Sequence, residues 1–250
     1  MLAPANPDVS GGPMWRTRYQ RVDLLPDQRP VRLWEDGRGP APHFARQAVG
    51  VTELYSSLLG KATPVPSNAT RIAVRAYVGD DVGAPASYGD GPRKNYESVA
   101  AVLDPTLLDL PADRRPEAYL RWLQPIVLGL ADVRGVPRTG FQETFDACLA
   151  AGCLLRWSGP ARPSPDRQLR AVPHFEFDAD GDAWLRVTLT DGRRHVITEG
   201  GPWEAPIQYR DWQRSARTLT WLSPEEVGVD VNRAPYASAW RVPGWRTLSV

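Results

Sequence analysis

Between Ala171 and Thr198 apolar and polar residues alternate with a period of two, and turn-forming residues interrupt the alternation twice. That period belongs to strands that bury one face, so AVPHFEFDADGDAWLRVTLTDGRRHVIT predicts a three-stranded antiparallel meander (171–198). Asp191-Gly192 falls between the second and third runs, and a two-residue Asp-Gly loop supplies the positive φ values of a type I′ turn. Such a turn pairs Thr190 with Arg193, Thr188 with His195, Val187 with Val196 and Arg186 with Ile197. The earlier connection, Asp178 to Asp182, is also made of turn formers. Pairing Phe177 with Ala183 puts Phe175, Phe177, Ala183, Leu185, Val187 and Leu189 on the core face. The outward face then gathers His174, Glu176, Trp184, Arg186, Thr188 and His195. A one-residue slip in the first connection would send His174 and Glu176 to the other side.

Elsewhere the same reading predicts strands at Trp15–Leu25, Val31–Trp34 and Thr70–Val78, where apolar residues again alternate with polar ones. Phe44, Ala48, Val51, Tyr55, Leu58 and Leu59 keep the spacing of one helical face, with Pro42 near the start and Gly60 past the end. Gly79–Asn95 holds four glycines, two prolines and Asp80, Asp81 and Asp90, and reads as a long loop. Tyr96–Leu103 reads as a short helix. Residues 116–134 form a longer one that Pro125 should kink or break, because proline removes an amide donor. A further helix runs from Thr139, where Thr-x-x-Gln142 has the form of a capping box, to Gly152. Cys153–Trp157 and Thr218–Leu222 read as strands, Gly200–Arg217 as irregular and Ser223–Glu226 as one helical turn. Strands before and after a helical middle predict an α+β domain with a mainly antiparallel sheet, about three helices on one face and long Pro- and Trp-rich loops. The expected organisation is an irregular arm over 1–14, one domain over 15–230 with an alternative boundary near 60–67, and an extended tail over 231–250.

Composition narrows the function classes. The chain has 250 residues, 30 basic and 29 acidic side chains and a net charge of +1, so no bulk field attracts nucleic acid. No stretch approaches the ~20 apolar residues of a membrane span, and no basic and apolar leader opens the chain. Cys148 and Cys153 read as buried reduced thiols, which suits a cytoplasm. Only Lys61 and Lys94 are lysines, a bias toward arginine that fits the codon usage of a GC-rich bacterium or its phage.

Asp178-Ala-Asp180-Gly-Asp182 lacks the glycine and the acidic residue that an EF-hand needs at its sixth and twelfth positions. Walker, G-x-S-x-G, H-E-x-x-H and C-x-x-C motifs are absent from the sequence, and no cofactor or metal is implied. The best enzymatic candidate is His174, Glu176, Arg186 and His195, types that can perform general acid–base cleavage of a phosphodiester. Solvated sheet faces carry the same types as a matter of course, which favours the plainer reading. Ten tryptophans are more telling, since seven (Trp157, Trp184, Trp203, Trp212, Trp221, Trp240 and Trp245) fall in the last hundred residues. Each alone reads first as a loop anchor, but Trp, Tyr and Arg together are the residues of interface hot spots. The expectation is a non-catalytic protein-interaction protein, of the immunity (toxin-neutralising) type or a subunit of a bacterial or phage assembly. It would bind another protein through Trp184, Arg186, Thr188, His195, Trp203 and Trp212. The alternative is a small metal-independent hydrolase or nuclease.

Overall fold

A computed structural model of the chain describes residues 15–26, 40–79, 81–224, 226–231 and 245–249. The arm over 1–14, the strand expected at Val31–Trp34 and most of the tail therefore lie outside the described residues. The N-terminal alternation forms Thr17–Arg18 (β1) and Arg21–Pro26 (β2). The helical pattern that follows is divided at Ala48 into Pro40–Gln47 (α1) and Val49–Leu59 (α2). Pro66–Ser67 (β3) pairs with β1, and Arg71–Val78 (β4) runs parallel to β2 after this helical crossover.

Ser87–Tyr88 (β5) and Tyr96–Leu103 (β6) complete a four-stranded sheet in the order β2-β4-β6-β5, with β6 parallel to β4. The helix expected over 96–103 is thus a strand. Glu97, Val99, Ala101 and Leu103 are buried while the residues between them are half-buried. The eight-residue pairing with β4 overrides the helix propensity of its alanines.

Arg115–Arg134 (α3) passes through Pro125 without a break. Pro125 and Arg121, the residue whose carbonyl loses its donor, are both exposed. Thr139–Ala150 (α4) follows, but the capping box does not form: Arg138 holds the N-cap position without a side-chain bond, and Gln142 reaches Asp146 instead. Both helices pack on α2, and α2 also lies against β2. Its residues Gly50–Tyr55 and Leu59 are all buried, as expected of a helix with neighbours on several sides.

The second half is antiparallel. Arg156–Ser158 (β7), Arg162–Pro163 (β8), Leu169–Phe177 (β9), Ala183–Asp191 (β10) and Val196–Glu204 (β11) form one sheet in which β7 and β8 both pair with β9. Residues 200–217, expected to be irregular, instead finish β11 and form Tyr209–Thr218 (α5). Thr220–Ser223 (β12), Glu226–Asp230 (β13) and Trp245–Ser249 (β14) make a third sheet. Of the helical turn expected at 223–226, Ser223 and Glu226 are instead strand residues that face each other, and the end of the expected tail is a paired strand.

The chain is α+β with mostly antiparallel sheets and has five helices among the described residues, against about three expected. One continuous buried cluster draws on residues from Tyr19 to Val231. Within it Glu53 of α2 is a buried carboxylate, partnered by Arg21 at 2.6 Å and by the Tyr209 amide at 3.1 Å. A buried charge needs such partners, and these tie the crossover helix to both β2 and α5. No helix among the described residues is long and apolar enough to cross a membrane.

Candidate functional site

The meander turns on two aspartates. Asp178 Oδ1 accepts hydrogen bonds from the amides of Asp180 and Asp182, both at 2.9 Å. Asp191 Oδ1 accepts from the amides of Arg193 and His195, both at 2.8 Å. In each turn the third residue after the aspartate is left-handed, Gly181 at φ 83° and Arg194 at φ 67°. Each loop is thus three residues long, a tight turn followed by a left-handed residue.

Asp178–Asp182 gives the expected register, with Phe177 opposite Ala183, Glu176 opposite Trp184 and His174 opposite Arg186. Asp191–His195 does not form the expected two-residue turn. Thr190 faces Val196, Thr188 faces Glu199 and Val187 faces Gly200, with irregularities in register between Leu185 and Val187 and between Leu189 and Thr190. The longer loop carries His195 to the exposed tip, where its Nδ1 lies 3.3 Å from Asp191.

The outward face consequently gathers His174, Glu176, Trp184, Arg186 and Thr188, while Glu199 stands where His195 was expected. Arg186 bridges two carboxylates, with Nε 3.5 Å from Glu176 and Nη1 3.2 Å from Glu199. Arg156 adds a longer contact to Glu176 at 3.8 Å. Pairs this exposed contribute at most about 1 kcal/mol each, so they orient side chains more than they stabilise the fold. His174 Nδ1 is 2.8 Å from Ser158 Oγ. Desolvation lowers the His174 pKa below the ordinary histidine value, against the opposing pull of Glu199 and Glu176, and favours the neutral ring. The Trp184 indole is half-buried and donates to Asp178 Oδ2 at 2.8 Å. Thr188 is buried despite its place on this face.

Sequence reasoning missed Arg156, Ser158 and Glu199. The signal for Glu199 was present, since Asp191 begins a turn with the same three-residue spacing as Asp178.

Of two tryptophans expected at an interface, Trp212 belongs to the interior and Trp203 is half-buried against it. Trp212 on α5 is fully buried, stacked on Phe175 at 5.5 Å and packed against Phe177 at 4.8 Å. Trp203 is opposite Leu185, which places it on the core side, where it packs against the buried cluster. Trp157 meets Phe175 and Tyr209, each at 5.7 Å. These rings bury large areas and fasten α5 beneath the sheet. Trp240 lies outside the described residues. Cys148 and Cys153 are free and buried, and burial pushes the Cys148 thiol up to about 12. Neither has the lowered pKa of a reactive thiol. Asp80, one of the three loop aspartates, lies outside the described residues.

Comparison with known proteins found no matching family model, no matching curated protein and no matching solved structure.

Proposed function

We propose that this chain is a non-catalytic protein-interaction protein, an immunity-type (toxin-neutralising) protein or a subunit of a larger bacterial or phage assembly, docking through the outward side of its meander. The observation that carries the reading is the fixing of Trp184 by Asp178 and of Arg186 between Glu176 and Glu199. An indole and a guanidinium already held in place lose little conformational freedom on binding, and these two residue types dominate interface energetics. Trp184→Ala or Arg186→Ala is expected to weaken partner capture at least about tenfold in a pull-down titration. Thermal unfolding should change little. Unaltered capture by both variants rejects the face.

The metal-independent hydrolase or nuclease is the weaker reading, because its second histidine, His195, stands at the exposed tip rather than beside Glu176. What favours it is the short Ser158–His174 contact. Incubation with RNA in EDTA separates the two: cleavage that His174→Ala abolishes would replace the interaction reading with the catalytic one.

A further inference from the structure

The β8–β9 turn and the β10–β11 turn lie at the same end of the sheet, since Leu169 pairs with Asp191. This end carries Arg167, Arg170, Arg193 and Arg194, all exposed. None of the four makes a side-chain ion pair or hydrogen bond among the described residues. Arginines elsewhere are commonly paired, as Arg21, Arg115, Arg134 and Arg186 are. The two carboxylates at this end are tied into the turns. Asp166 accepts from Ser164 Oγ at 2.6 Å and from the Gln168 amide, and Asp191 accepts from two amides. The end thus has two more positive than negative groups, whereas the whole chain has a net charge of +1.

Unpaired arginines alone describe an ordinary solvated surface. What changes the reading is the pair that follows them on β11: Val196 is 63% exposed and Ile197 51% exposed. Adjacent exposed branched aliphatics beside arginine have the composition of an interface, apolar at its centre and charged around it. A phosphate backbone would satisfy the arginines but leave Val196 and Ile197 without a counterpart. An acidic polypeptide with interspersed apolar side chains satisfies both.

Resting on the interaction reading above, we infer that the exposed end of the meander, formed by Arg167, Arg170, Arg193, Arg194, Val196 and Ile197, is the docking site for an acidic, partly apolar segment of the partner protein. The test is fluorescence anisotropy of the full chain with three labelled probes: a peptide alternating Glu and Leu, a poly-Glu peptide of equal charge, and duplex DNA. The Glu-Leu peptide should bind at least about fivefold more tightly than either other probe. Arg193→Glu/Arg194→Glu should weaken it at least about tenfold. Val196→Ser/Ile197→Ser should weaken the Glu-Leu peptide but not poly-Glu. All four positions are exposed, and circular dichroism checks that the variants stay folded. DNA binding as tight as the peptide, no saturable peptide binding, or indifference to charge reversal overturns the inference. If peptide binding fails while capture of the partner still depends on Trp184 and Arg186, this site falls and the interaction reading stands. If capture is also insensitive to those residues, both fall.

Discussion

The two turns of the meander share one construction and have opposite surroundings. Asp178–Asp182 is pressed into the helical layer. A Cβ on Gly181 would sit 2.0 Å from the Arg46 carbonyl oxygen, Arg46 pairs with Asp182 at 2.7 Å and Arg115 pairs with Asp180 at 3.0 Å. Asp191–His195 projects into solvent, and nothing lies within 4 Å of a Cβ built on Gly192. Where helix α1 closes over the turn, only glycine fits the left-handed position. Where the turn is free, arginine occupies it. The same hydrogen-bond pattern thus supports a structural joint at one end of the sheet and a projecting basic end at the other.

Replacing the two glycines separates these roles most sharply. Gly181→Ala forces a methyl group into the α1 backbone at a positive φ and should cost roughly 3 kcal/mol or more in urea unfolding. A loss below about 1 kcal/mol would show that the joint is looser than its contacts imply. Asp178→Ala removes the acceptor for two turn amides and the Trp184 indole, and is expected to cost about 1–2 kcal/mol. Asp191→Ala, measured the same way, should lower the melting temperature less, because its turn supports nothing beyond itself. Arg194→Gly relieves the left-handed strain and should stabilise by at most about 1 kcal/mol, offset in part by the entropy of a new glycine. Gly192→Ala should lie within about 0.5 kcal/mol of the parent.

Acid offers a further comparison. The Asp191 carboxyl is held below its ordinary value, chiefly by the His195 amide, so its contribution is present above the unfolded value of about 3.9 and lost as pH falls further. His174, also depressed, contributes fully above its unfolded value of about 6.5 and loses that contribution as pH drops toward its lower folded value. Stability should therefore begin to fall at mildly acidic pH, and His174→Gln should flatten that part of the profile. The projecting turn, followed through its Arg193 and His195 amide signals, should stay intact until more strongly acidic pH. Simultaneous loss of both would show that the face around His174 and the projecting turn do not respond independently.

Much of the fold was legible because its signals are local. The strand at 71–78 and the helices at 115–134 and 139–150 have clear periods. The first hairpin was read correctly because burying Phe175 and Phe177 leaves one acceptable register. Tyr96–Leu103 was misread because eight residues of tyrosine, glutamate, serine, valine, alanine and leucine suit either period. Only the arrival of β4 alongside decides for a strand. Asp191-Gly192 misled in another way, since the Asp-Gly pair favours a two-residue turn while the aspartate side chain stabilises a three-residue one. That choice moved His195 to the tip and put Glu199 beside Arg186. Trp203 and Trp212 were grouped with Trp184 because a tryptophan in a Pro-rich stretch carries no mark of which side it faces.

By itself the sequence determined the α+β class, the alternating faces of β9 and β10, and the company of His174, Glu176, Trp184 and Arg186, because strand period and turn chemistry act over a few residues. The tertiary structure alone decided that Trp212 closes the core, that one aspartate turn is clasped by α1, and that the other stands free with its arginines. Those outcomes depend on which distant element lies opposite each residue, and burial is a property of that encounter.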